Sequence, residues 1–169
     1  MERQQNEEPI QLNNRMRIGG ANEGLSEAQV WDRKSMDRAF VAALRGEDVR
    51  AIGKYQVYSD YRDNETVVFI HDPTGQSDHK YIFASTGKHT YIVAAPIDWT
   101  EFHRDICKYV RDAAGEYVYS DGGGYVKQLS DGELVVNSRS EQFGSGDHAR
   151  AKKAFEDAVR STVKRGGAH

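Results

Sequence analysis

Between Lys54 and Ala95 the apolar residues come in short runs of aromatic and β-branched side chains, a pattern that suits strands far better than helices. The runs are KYQVYSD, ETVVFIHD, KYIFAS and HTYIVAA. Turn formers separate them: YRDN, PTGQSD and TGK, the last short enough for a tight hairpin. The order predicts a meander of four strands.

On either side of this block the period lengthens. Met36, Phe40 and Leu44 recur four apart and predict a helix over about 26–44. Ser26 and Gln29 can form its capping box, and Gly46 stands where a left-handed cap residue is favoured. After the strands, Asp98 is a candidate N-cap with Glu101 as its partner. Phe102, Ile106, Tyr109 and Ala113 then share one helical face, and Gly115 is the candidate stop. EYVYS reads as a strand ending at the glycines 122–124, and YVKQL and GELVVNS as strands joined by SDG. A last helix starts near Asp147, with Ala151, Phe155, Ala158 or Val159, and Thr162 or Val163 as its stripe, and KRGGAH frays. Helix, four strands, helix, two or three strands, helix implies a single α+β domain over 25–165, a mostly antiparallel or mixed sheet flanked by helices. Residues 1–24, rich in Gln, Asn, Glu and Gly, read as a tail that buries little surface.

Composition narrows the function. With 23 basic against 26 acidic residues the net charge is -3, so no global field drives binding to nucleic acid or to an anionic membrane. No apolar run approaches the roughly 20 residues of a membrane helix, and the polar N-terminus does not resemble a signal peptide. Cys107 is the only cysteine, which excludes an intramolecular disulfide and a cysteine-rich zinc site and points to a reducing, cytoplasmic setting.

Four stretches can carry chemistry. In SRSEQFGSGDHARAKKAF, Gly144 and Gly146 permit a tight bend before a helix start, where successive N–H groups can hold an anion with the Ser140 and Ser145 hydroxyls. The simpler alternative is that Ser145 or Asp147 only caps the helix. In WTEFHRDI, His103 sits one step from Phe102, at the half-wet edge of the apolar face, as a proton acceptor or as a histidine with no role. SDGGGYV allows a close backbone approach or marks a bulge. HDPTGQSDHK offers His71, Asp72, Asp78 and His79, metal-binding types at a spacing that fits no zinc pattern and reads rather as a turn. Lys80 either points into one cleft with His103 or guards an edge strand.

In order, HKYIFAS, TGKHTYIV, WTEFHRDI, SDGGGYV and GELVVNSRSEQFGSGDHARAKKAF resemble the Janus / protein histidine phosphatase family over about 79–160. That family has a Lys-Tyr strand start, a Trp-x-Glu-Tyr-His-x-Asp-Ile helix segment, a triple-glycine strand end and a Ser-x-x-Tyr-Gly-x-x-x-His loop before a helix. The resemblance implies a small sheet flanked by helices and hydrolysis of phosphate from a side-chain nitrogen, phosphohistidine above all, without a metal or other cofactor. It implies His103 as the catalytic residue. It implies Lys80, Ser140, Glu141, Gln142, Phe143 and Gly144 as the phosphate site, with His148, Gly124 and Tyr125 in support.

The chain departs from the pattern in three places. Tyr125 stands where the family has an arginine, leaving Lys127 or Arg139 to compensate, and Glu141 brings a negative charge into the loop. Residues 1–75 have no counterpart in the family, so 25–75 reads as an addition to the core. The expected partner is a phosphorylated protein or small phosphorylated ligand. The alternative function is a module that binds phosphate or a nucleotide on the same fold without turnover, with Tyr117, Tyr119 and Tyr125 as stacking surfaces.

Overall fold

The β-branched and aromatic runs form one seven-stranded sheet in a computed structural model that describes residues 31–75, 77–129, 131–140 and 143–167. The expected Ser26–Gln29 box and residues 1–24 lie outside the described residues. The chain divides into two units after Ser35. Of the first unit, residues 31–35 are described, and within them Asp32 Oδ1 accepts the Ser35 amide at 2.8 Å. That capping bond precedes the first described helix, α1 (Arg33–Leu44).

Within the unit from Met36 onward, the described strands are β1 (Ala51–Ile52), β2 (Tyr55–Arg62), β3 (Glu65–His71), β4 (His79–Ser85), β5 (Thr90–Pro96), β6 (Tyr119–Gln128) and β7 (Leu134–Asn137). The helices α2 (His103–Ala114) and α3 (His148–Gly167) complete it. The sheet order is β1-β2-β3-β5-β4-β6-β7, with β3 and β5 parallel and every other pair antiparallel. The fold is α+β with a mixed sheet flanked by helices.

The simple meander is corrected. The β4–β5 hairpin folds back so that β5, not β4, lies beside β3, and β3 and β5 then run in the same direction. Both are buried along nearly their whole length, which is why their sequences are continuous apolar runs without alternation. The TGK turn closes the hairpin through Thr86 N–H to His89 O at 3.1 Å.

A second correction concerns the glycines. Gly122, Gly123 and Gly124 do not end a strand. They sit inside the ten-residue β6, which runs on through Tyr125 to Gln128 and skips one residue opposite Phe83 and Ala84. β6 is the last strand but one of the sheet, paired with β4 on one side and with the edge strand β7 on the other.

α2 starts later than expected. Its N-cap is Phe102, in extended backbone at φ -124, ψ 151, and the Asp105 carboxylate accepts the Phe102 amide at 3.0 Å. The residues before it fold into a turn instead, with the Trp99 and Thr100 amides and the Thr100 hydroxyl all bonded to Pro96 O. Moving the start to 103 rotates the buried face to His103, Ile106, Cys107 and Val110 and leaves Phe102 exposed. α3 starts where expected, because Asp147 Oδ1 accepts the Arg150 amide at 3.1 Å. Its stripe of Ala151, Ala154, Phe155 and Ala158 packs on Phe69, Tyr81 and Phe83, and Thr162 donates to Ser59 O at the far end. Val163, the alternative to Thr162, faces out.

Candidate functional site

The site is built on the alternation of β6. Successive residues face opposite sides of a strand, so Gly123 and Tyr125 share one face and Gly124 the other. On the first face lies the start of α2. A Cβ on Gly123 would stand 2.2 Å from Tyr81 O and 3.2 Å from the His103 ring, so the missing side chain lets β4 close on β6 and lets His103 lie against the strand. On the second face a Cβ on Gly124 would meet Asn137 O at 2.5 Å, the Tyr81 ring at 2.8 Å and the His148 ring at 2.9 Å. The triple glycine is a place of close approach on both sides.

His103 is 4 % exposed, and so is not the half-wet boundary residue that a helix starting at Asp98 implies. Its Nε2 lies 2.9 Å from Gly124 O. A carbonyl oxygen only accepts, so Nε2 carries the hydrogen, and in the neutral ring Nδ1 keeps its lone pair. Nδ1 takes no hydrogen bond from the described residues and is not among their buried unpartnered side-chain atoms, so it reaches solvent. Burial holds the His103 pKa below the usual histidine value; the bond to Gly124 O opposes this and the Lys80 charge adds to it. At neutral pH the ring is a neutral base.

Lys80 and Tyr125 are register partners on β4 and β6 and complete the cluster. The Lys80 ammonium donates to Glu101 O and sits 5.4 Å from the Phe102 ring centroid and 5.8 Å from that of Tyr125. It therefore shares a site with His103 and does not merely guard an edge. Tyr125 meets His103 edge-on at 5.6 Å.

The 140–146 loop joins the same strand. Gly123 N–H donates to Gly144 O at 3.0 Å and Gly146 N–H to Gly123 O at 2.9 Å. Ser140 is buried, and its hydroxyl accepts the Phe143 amide at 3.1 Å. The Ser140 amide donates to Gly144 O at 3.1 Å and the Gly144 amide to Ser140 O at 2.9 Å. The amides of Ser140, Phe143 and Gly144 are thus spent within the fold, and a phosphoryl group that uses them must displace these bonds. Glu141 and Gln142 lie outside the described residues. Asp147, not Ser145, caps the helix.

His148 belongs to the other face. Its Nδ1 lies 2.5 Å from the Tyr81 hydroxyl and its Nε2 3.2 Å from Ser145 Oγ. Tyr81 is fully buried, and burial raises its pKa first, with Asp147 adding to it, so the phenol keeps its proton and donates it to Nδ1. Nε2–H then points at Ser145 Oγ, whose own hydrogen goes to Gly146 O at 3.2 Å. The chain of bonds ties the start of α3 to β4. The structure brings His103, Lys80, Gly124 O and Tyr125 together and sets His148 across the sheet from them.

The His-Asp stretch is a structural knot. The Asp72 amide donates to His79 Nε2 at 3.0 Å and His79 Nδ1–H donates to Val126 O at 3.2 Å, so both ring nitrogens are occupied. Asp72 Oδ1 accepts from the Thr74 amide and hydroxyl. Among the described residues no three His, Cys, Asp or Glu side chains converge as a metal site. A cleft of about 250 Å³ lies between α3 and the sheet, walled by Tyr58, Phe69, His71, Leu134 and Val159, and includes none of the residues expected at the phosphate site.

Two neighbours of His103 escaped the sequence reading. The sequence pattern places Phe102 in the buried stripe and gives no signal for Arg104, whose guanidinium carbon lies 4.5 Å from the Phe102 ring centroid. Only the true helix start turns Phe102 outward. No family model matches the chain, and no curated protein matches it. Among the described residues no helix is long and apolar enough to cross a membrane.

Proposed function

We propose that the chain hydrolyses a phosphoryl group from a side-chain nitrogen, phosphohistidine above all, with His103 as general base or nucleophile. One observation carries this reading: Gly124 O holds Nε2–H and so presents the Nδ1 lone pair of a neutral imidazole beside the Lys80 ammonium. A base needs that lone pair, and a phosphoryl group needs the cation. As the base, Nδ1 takes a proton from water while the water oxygen bonds to phosphorus, and the P–N electron pair leaves with nitrogen. As the nucleophile, Nδ1 bonds to phosphorus while the substrate's P–N electron pair leaves with nitrogen, and water then breaks the new P–Nδ1 bond to release phosphate. Phosphoryl transfer asks mainly for position and charge stabilisation, which these side chains offer.

The test is phosphate release from phosphohistidine, with a phospholysine control, by wild type and His103→Ala in the presence of chelator. Loss of release in the variant with the fold intact is the expected result. Release at the wild-type rate by His103→Ala would refute the assignment.

A second reading, binding of a phosphorylated ligand without turnover, draws support from the spent amides of Ser140, Phe143 and Gly144. Turnover asks for stabilisation beyond that of the bound ground state, and engaged amides supply none of it, whereas docking can rest on the Lys80 charge. Saturable binding without phosphate release would select it.

A further inference from the structure

We propose that the cleft between α3 and the sheet is a second binding site, and that it takes a free α-amino acid with an aromatic side chain. The site is independent of the phosphoryl site, because no residue expected there lines the cleft. Its walls are apolar and rich in rings. Tyr58, Phe69 and His71 contact one another with ring centroids 5.4 to 6.0 Å apart, and Leu134 and Val159 line the cleft with them. Glu156 and Arg160 bring opposite charges to the same cleft from successive turns of α3. A glutamate four residues before an arginine is the favoured order for an ion pair on a helix. Here that pair is not made. Among the described residues the Glu156 carboxylate has no ion pair or hydrogen bond, and Arg160 turns its Nη2 to Asp157 instead.

An aromatic amino acid answers all three features at once. Its ammonium meets the Glu156 carboxylate. Its carboxylate meets Nε and Nη1 of Arg160, which have no partner among the described residues. Its ring lies against the aromatic wall. Side chains four apart on a helix stand about 5–6 Å from each other at Cβ, a span that two charged groups on one α-carbon can bridge. The volume of about 250 Å³ also suits a molecule of this size, since it falls below the roughly 300–1,000 Å³ of sites for drug-sized ligands. A plain amine or carboxylic acid leaves one of the two charges unanswered, and glycine leaves the rings in water.

The test is an NMR titration of the full chain at neutral pH, read on the Leu134 and Val159 methyl groups. The ligands are L-phenylalanine and three partial mimics: phenethylamine, 3-phenylpropionate and glycine. The proteins are wild type, Glu156→Gln, Arg160→Gln and Lys153→Gln. Lys153 also contacts Asp157, at 3.4 Å, but does not line the cleft, so it controls for the Asp157 contact that Arg160→Gln loses. Wild type is expected to saturate with phenylalanine and to bind each mimic at least roughly tenfold more weakly, as for loss of one charge-assisted contact. Glu156→Gln is expected to weaken phenylalanine by a similar factor without weakening 3-phenylpropionate. Arg160→Gln is expected to weaken phenylalanine without weakening phenethylamine, and Lys153→Gln to match wild type. Failure of wild type to saturate with phenylalanine overturns the site. Phenethylamine binding as tightly as phenylalanine, or equal phenylalanine affinity in Glu156→Gln and wild type, overturns the amino-acid assignment. The His103 reading is tested separately by turnover and stands or falls apart from these results.

Discussion

The ring of Tyr125 meets the ring of His103 edge-on, with centroids 5.6 Å apart and planes at 89°. The Tyr125 ring covers the imidazole on that side, while the residue before it on β6, Gly124, fixes its tautomer through the carbonyl. One strand thus supplies both the cover and the anchor. The same residue closes one side of Lys80, so the ammonium lies against a low-dielectric wall.

Removing that wall has a definite sign. Burial is the main cause of the depressed His103 pKa, so Tyr125→Ala raises it toward the ordinary histidine value. An NMR titration of the His103 ring in wild type and variant measures the shift. An unchanged midpoint would show that Tyr125 contributes nothing to the desolvation.

The same protonation governs turnover. A protonated His103 has no lone pair at Nδ1, so activity falls on acidification, and the midpoint of that limb lies below the ordinary histidine value because the pKa is depressed. A pH–rate profile of phosphate release checks it, and an acid limb above the usual histidine pKa would contradict a buried neutral base.

The glycines of β6 separate two kinds of cost. At Gly123 a Cβ would stand 2.2 Å from Tyr81 O, and a backbone oxygen in the centre of a sheet cannot step aside. Gly123→Ala is expected to cost about 3 kcal/mol or more. At Gly144 nothing lies within 4 Å of the added carbon and only its φ of +82 resists, so Gly144→Ala costs about 1 to 2 kcal/mol. Urea unfolding of the two variants ranks them, and a larger loss at Gly144 would reverse the argument.

These two glycines also show where sequence reading stops. The β-branched and aromatic runs gave the strands from β2 to β5, and the stripe from Ala151 to Thr162 gave α3, because local period records which face is buried. Strand order is not local. Nothing in ETVVFIHD says that its neighbour is HTYIVAA and not KYIFAS; that choice is made when the β4–β5 hairpin turns back on β3. Glycine weakens isolated strands, so the glycine run reads as a strand end. In the fold its cost is offset by contacts on both faces that only absent side chains allow. Lys80 and His103 were legible as a pair through the resemblance. Their neighbours Phe102 and Arg104 were not, because their directions follow from a helix start that the Pro96 turn moves five residues downstream of Asp98.

The last prediction concerns stability in acid. His79 is buried beside His71, with ring centroids 5.4 Å apart and planes at 17°. Its Nε2 accepts the Asp72 amide, so protonation there turns an acceptor into a second donor and breaks the bond. Burial, with the neighbouring His71, lowers the His79 pKa to about 4; its bond to Val126 O and the charges of Asp72 and Asp78 oppose the shift. With the folded pKa below the unfolded one, the unfolded chain binds the proton first. The stability His79 contributes is therefore complete above the unfolded value near 6.5 and is lost as pH falls from there to about 4. A displacement of this size corresponds to roughly 3 kcal/mol across the window. Urea unfolding at a series of pH values should show wild type losing stability over that range, and His79→Gln, which has no titrating group, losing less of it. The same acid slope in both proteins would assign the loss to other groups.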